Sequence, residues 1–249
     1  AAPSETVMVS GLKDEGQRSN LSGLATPFSM SLRLLLDSAN PEDWQDWWQT
    51  GLFTGITTNP TLLRRAKQAC NVQSLKELSA RALELGVTEL HLQAWGANAH
   101  ALEACATELA SIEPNLTIVK LPVSRAGLLA ARPLISRGIQ ITFTACYDAA
   151  QVLLADALGA NYIAPYLGRI NDQGRDGLSE LLTMQRALHA LESNTRLLVA
   201  SLRSPSDLVD LAAGGCDTFT ISPEIASALL QNPHTTAAAE QFERDATNP

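Results

Sequence analysis

Lys120 stands in the middle of an apolar run, residues 116–123 (LTIVKLPV), with no obvious partner beside it. An ammonium taken out of water is costly unless it is paired or gives up its proton. An amine that has lost its proton near neutrality is a nucleophile, able to form a Schiff base with a carbonyl substrate. The plainer alternative is a lysine at a strand edge, or one paired with a buried carboxylate. The company Lys120 keeps decides between them. Asp37, Thr57, Asn59, Gln93, Thr144, Tyr166 and Ser201 fall at or near the ends of short β-rich runs, and Arg169 and Arg203 follow in the next segments. Each alone fits a capping, turn or satisfied strand-end role. As a set they suit one reaction. Lys120 attacks a ketose carbonyl to give an iminium, which acts as an electron sink. Asp37 takes or gives the proton on the hydroxyl beside the bond that breaks, a retro-aldol step. Asn59 can hold substrate hydroxyls, while Arg169, Ser201 and Arg203 suit a phosphate.

These residues must be positioned by elements that repeat. Strand-like runs are expected at 32–38, 54–58, 89–95, 116–123, 139–146, 161–167, 195–202 and 217–222. Between them lie helix-like stretches with apolar residues three and four apart, such as 74–85, 98–112 and 177–191. Asn40-Pro41, Asn59-Pro60 and Ser204-Pro205 read as helix starts, and Gly86, Gly138, Gly159 and Gly215 as stops. The pattern predicts a (β/α)8 TIM barrel, an α/β fold, with chemistry at the carboxyl ends of the strands. An open doubly wound sheet would call for a Gly-rich first turn, which the sequence lacks. Residues 235–246 read as an extra C-terminal helix.

The chain has 249 residues, 45% of them hydrophobic, enough for one large core at 32–249. Residues 1–31 form an N-terminal extension of small polar composition, expected to be flexible, and Glu5, Asp14 and Glu15 count against a transit peptide. A net charge of -8 without any basic block argues against nucleic-acid binding. No apolar run is long enough to span a bilayer. Cys70, Cys105, Cys146 and Cys216 are widely spaced without CxxC, which predicts reduced thiols and a cytoplasmic location.

Several segments resemble the motifs of transaldolases: Asp37-Ser38, residues 55–60 (GITTNP), 119–123 (VKLPV), 142–145 (TFTA), 164–170 (APYLGRI) and 200–203 (ASLR). The short form, fructose-6-phosphate aldolase, is the nearer fit, over residues 32 to 245. The resemblance implies a (β/α)8 barrel, no metal and no organic cofactor, and Lys120 as the Schiff-base lysine. It also implies a homo-oligomer, a ring-built decamer in the short forms, in which the C-terminal helix packs on a neighbouring subunit. Three positions bear on the subgroup. Gln93, Ala164 and Tyr166 match the aldolase-like members, whereas transaldolases of the other kind carry Glu, Ser and Phe there. Gln93 cannot ionise and can only orient a catalytic water with Thr144, while Tyr166 could supply the proton that lets dihydroxyacetone leave.

The leading expectation is therefore an aldolase making or cleaving fructose 6-phosphate. A transaldolase passing a dihydroxyacetone unit to erythrose 4-phosphate is the nearest alternative, and a non-catalytic sugar-phosphate-binding barrel is a third. The four histidines show no HExxH and no pairing with cysteines at metal-ligand spacing. His91 reads as an ordinary strand histidine, Cys146 as a buried structural thiol, and 172–176 (DQGRD) as a solvated loop. Trp44, Trp47 and Trp48 are expected to pack the outer face of the first helix.

Overall fold

A computed structural model describes residues 32–247; the N-terminal extension lies outside them. Eight parallel strands close into one barrel in sequence order. They are β1 (Arg33–Asp37), β2 (Phe53–Thr57), β3 (Leu90–Gln93), β4 (Thr117–Pro122), β5 (Ile141–Cys146), β6 (Tyr162–Pro165), β7 (Arg196–Val199) and β8 (Thr218–Ile221). β1 pairs with β8 from Arg33↔Thr218 to Leu36↔Ile221, which closes the ring without a sheet edge.

Helices follow every strand: α1 (Pro41–Trp48), α2 (Pro60–Arg65) with α3 (Val72–Glu84), α4 (Ala99–Ala110), α5 (Arg125–Ser136), α6 (Gln151–Leu158), α7 (Leu167–Asp172) with α8 (Gly177–Ala190), α9 (Pro205–Ala213) and α10 (Pro223–Leu230). The last, α11 (Pro233–Thr247), is extra to the barrel and has no buried residue. The starts follow from local chemistry. Asn40, Asn59, Asn71, Asn98, Ser124, Asp176, Ser204 and Ser222 each accept from a backbone N–H of the first turn. Each such cap is worth about 1 kcal/mol. The four expected stops hold, with left-handed φ at Gly86, Gly138, Gly159 and Gly215.

Strand residues alternate between two cores. The outward ones pack under the helices in a continuous apolar layer that includes Leu36, Ile56, Leu92, Val119, Leu121, Phe143, Ile163, Val199 and Phe219. Trp44 is fully buried there and its Nε1 donates to the Ser38 carbonyl, while Trp47 and Trp48 pack on that layer as expected. The inward apolar cluster is smaller: Leu35, Ile118, Tyr162, Ala164 and Leu198. The rest of the lumen is polar, which is where the sequence reading needs amending. His91 is wholly buried, Nε2 2.9 Å from Glu89 Oε1 and Nδ1 2.8 Å from Thr142 Oγ1. Arg33 ties the same glutamate to the Tyr162 hydroxyl.

One close approach fixes the strand that carries Lys120. A Cβ on Gly127 would sit 1.9 Å from the Pro122 carbonyl oxygen, so α5 lies against the end of β4 only because residue 127 has no side chain.

Two expectations are corrected. The segment after β6 is helical rather than a loop, so Arg169 and Asp172 ride on α7. β7 ends at Val199, so Ser201 lies beyond the strand, at φ 60°.

Candidate active site

The carboxyl ends of the strands bring most of the expected residues to one mouth. Asp37, Thr57 and Gln93 are the last residues of β1, β2 and β3, and Thr144 lies in β5 opposite Pro122 of β4. Gln93 is the register partner of Lys120 across β3 and β4. Tyr166 caps the front of α7 and bridges to Ala200 beside β7.

Lys120 is 5% exposed, and its Nζ donates to the Thr58 carbonyl at 3.0 Å. That carbonyl supplies the partner the sequence could not. No carboxylate reaches ion-pairing distance of the amine among the described residues. A carbonyl accepts a hydrogen bond without adding a charge, so no ion pair ties up the amine.

Asp37 is the nearby acid. Burial raises its pKa, and the net shift stays upward although Lys120, the Thr57 hydroxyl, Arg169 and Arg65 pull the other way. A carboxyl that keeps its proton to higher pH than usual suits proton transfer near neutrality. Thr57 Oγ1 donates to Asp37 Oδ1 at 2.7 Å and lies 2.5 Å from Thr220 Oγ1. Since the single Thr57 proton goes to the carboxylate, Thr220 must donate to Thr57, which locks the acid's orientation.

On the opposite side Tyr166 and Thr144 share a short hydroxyl–hydroxyl bond. The Gln93 amide nitrogen donates to the carbonyls of Ala94 and Lys120 at 3.2 and 3.1 Å, while Oε1 makes no bond within the described residues. Ala164 is buried in the lumen, its methyl contributing to the inner apolar cluster. Asn59 fills the capping role the sequence allowed for. Its Oδ1 caps α2 through Thr61 N and Leu62 N, and its amide Nδ2 makes no bond within the described residues.

The cationic corner is built by α7 and the β7–α9 connection. The Arg169 guanidinium lies 4.8 Å from the Tyr166 ring centre and 3.4 Å from the Tyr147 hydroxyl. Gly168 N donates to the Ser201 carbonyl at 2.9 Å. A Cβ on Gly168 would meet Arg203 Nε at 2.6 Å and Ser201 Oγ at 3.1 Å, so a side chain there would displace both. Arg203 does not stand open: both its Nη atoms are bonded to Asp172, one at 2.7 Å. The guanidinium beside Asp172 holds that carboxyl below its usual range.

Sequence reasoning missed Tyr147, Thr220 and Asp172. Tyr147 follows β5 directly, and a strand-end position was the only available signal. Cys146 is buried and its thiol is pushed up to about 12, as befits a structural rather than a reactive sulfur. Among the described residues no cluster of His, Cys, Asp and Glu could hold a metal ion, and no helix is long and apolar enough to cross a membrane.

A closed (β/α)8 barrel with a buried amine and a raised-pKa carboxyl at its carboxyl-end mouth is the framework of a Schiff-base aldolase or transferase. Residues 34–248 match the family described as Transaldolase/Fructose-6-phosphate aldolase, and the chain belongs to it. It is an enzyme of carbohydrate metabolism of the Schiff-base aldolase/transaldolase type. It is 32% identical over 214 residues to a probable transaldolase of Phenylobacterium zucineum, spanning 86% of this chain and 96% of that protein. A probable transaldolase of Desulfitobacterium hafniense is 33% identical over 216 residues, 86% of this chain and 98% of that one. The solved thiamine phosphate pyrophosphorylase from Pyrococcus furiosus superposes with a TM-score of 0.55 at 14% identity, covering 77% of this chain and 85% of that chain, a likeness of fold alone.

Proposed function

We propose that the protein is a class I aldolase that cleaves fructose 6-phosphate to dihydroxyacetone and glyceraldehyde 3-phosphate, and runs the reverse addition. Lys120 Nζ attacks the C2 carbonyl, and loss of water gives the iminium. Asp37 takes the C4 hydroxyl proton as the C3–C4 bond breaks, with the electron pair entering the iminium to form an enamine. The aldehyde departs from the corner of Arg169, Ser201 and Arg203, which suits its phosphate. Protonation of the enamine and hydrolysis of the resulting imine then free dihydroxyacetone and restore the amine. Asn59 Nδ2 faces substrate hydroxyls, and a water held by Gln93 Oε1, Thr144 and Tyr166 serves the carbinolamine steps.

The observation that carries this reading is the Tyr166–Thr144 hydroxyl pair standing with a non-ionisable Gln93. A phenol bonded to a threonine can pass a proton to the waiting enamine, so the intermediate need not wait for a second aldehyde. Tyr166→Phe tests it: release of free dihydroxyacetone should fall while Schiff-base formation persists, and unchanged release refutes the role. A transferase using erythrose 4-phosphate is the second reading, favoured by relatives named probable transaldolase. We also propose a cytoplasmic homo-oligomer joined through α11, in the manner of a decamer, because that helix buries nothing on its own barrel and Phe242 is 72% exposed.

A further inference from the structure

We propose that Asp172 tempers the phosphate corner's hold, and with it the preference for a phosphorylated acceptor, by occupying Arg203 until a phosphate displaces it. This rests on reading Arg169, Ser201 and Arg203 as the phosphate subsite.

The geometry carries the inference. Arg203 can meet a carboxylate or phosphate end-on through its two Nη atoms, and Asp172 takes both, Oδ1 and Oδ2 each meeting one. The Nε side lies near Gly168, where a Cβ would come within 2.6 Å, so the end-on pair held by Asp172 is the outward-facing one. Ser201 Oγ makes no hydrogen bond within the described residues, and Arg169 keeps donors beyond its single bond to Tyr147. Two phosphate ligands are thus ready, and the third is held by an internal anion.

Both partners of the pair are more than half exposed, at 57% and 54% for the Arg203 and Asp172 side chains, so the exchange needs side-chain motion only. Asp172 sits one turn after Arg169 on α7, which places a negative charge beside a corner meant for one. A dianionic phosphate ester can offset the loss of the carboxylate with its own bidentate contact to Arg203. A neutral aldehyde gains nothing from the exchange. Asp207 does not compete in this way, because its carboxylate is committed to the backbone N–H groups of Arg203 and Ser204 at the front of α9.

The test compares Asp172→Asn with the parent enzyme in the addition direction, using dihydroxyacetone with either glyceraldehyde 3-phosphate or glyceraldehyde. The readout is the ratio of kcat/KM for the two acceptors, with inorganic phosphate as a competitive inhibitor. The ratio should rise about two- to fivefold, the range of an exposed ion pair, and the phosphate inhibition constant should fall by a similar factor. Both changes should shrink in high salt and vanish in an Arg203→Met background, where the carboxylate has nothing to hold. An unchanged ratio overturns the proposal. So does a falling ratio, which would mean that Asp172 positions Arg203 for phosphate instead of competing with it. If the parent enzyme itself shows no preference for the phosphorylated acceptor, the subsite reading fails first, and the two failures are distinguishable.

Discussion

Glu89→Gln probes the polar lumen beneath the candidate site. Glu89 is 8% exposed, and burial alone would raise its pKa. The hydrogen bond and charge of His91, the Tyr162 hydroxyl and the charge of Arg33 win instead, lowering it from 4.5 to about 2. A depression of that size corresponds to at most about 3 kcal/mol at 1.36 kcal/mol per unit, and to less at pH 7, where His91, whose own pKa burial lowers, lends its hydrogen bond but not a charge. The sign follows from the direction. A carboxylate whose folded pKa lies below its unfolded value stabilises the fold above about pH 4.5, and that stability is lost as pH falls toward 2. His91 acts in the same sense: burial lowers its pKa, so below its ordinary titration near 6.5 the unfolded chain takes up a proton that the folded chain refuses. Unfolding followed by circular dichroism should therefore show the variant less stable at pH 7, by no more than about 3 kcal/mol, or about 6–12 °C in Tm. The gap should close progressively between pH 4.5 and 2, because the variant lacks the group that titrates there. A gap independent of pH, or none at pH 7, would refute the argument that a charged Glu89 holds the lumen together.

Three further outcomes follow from the site and its surroundings. Lys120→Met should abolish the adduct that borohydride traps with dihydroxyacetone and lower turnover by about a thousandfold or more, with the barrel intact by circular dichroism. Asp37→Asn should lower carbon–carbon cleavage by about 10²–10⁴-fold while the trapped adduct on Lys120 still forms, separating the proton-transfer role from the nucleophile. Phe242→Glu on α11 should shift the sedimentation coefficient toward that of a monomer without lowering Tm in proportion; an unchanged assembly would leave the helix without its proposed partner.

Much of this was legible in the chain. The strand ends fall within a few residues of expectation, because period-two alternation and Asn- or Ser-Pro starts are local signals that barrel packing does not override. The mouth was legible for the same reason: Asp37, Thr57, Gln93 and Lys120 hold strand positions that alternation alone directs inward. What escaped was either too short or too distant. α7 is six residues, less than two turns, so no helical period can announce it. The His91–Thr142 bond joins residues 51 apart, and the Asp172–Arg203 pair residues 31 apart, contacts that only the tertiary packing of the strands creates. His91, read as ordinary, is instead half of a buried pair, because its strand partner Glu89 points the same way two residues earlier.

The most direct test of the aldolase reading is steady-state turnover of fructose 6-phosphate, with and without erythrose 4-phosphate, following free dihydroxyacetone and glyceraldehyde 3-phosphate together. Sustained release of both products without acceptor is the expected result. A single burst matching the enzyme present, becoming continuous only when erythrose 4-phosphate is added, would contradict it and make the protein a transferase.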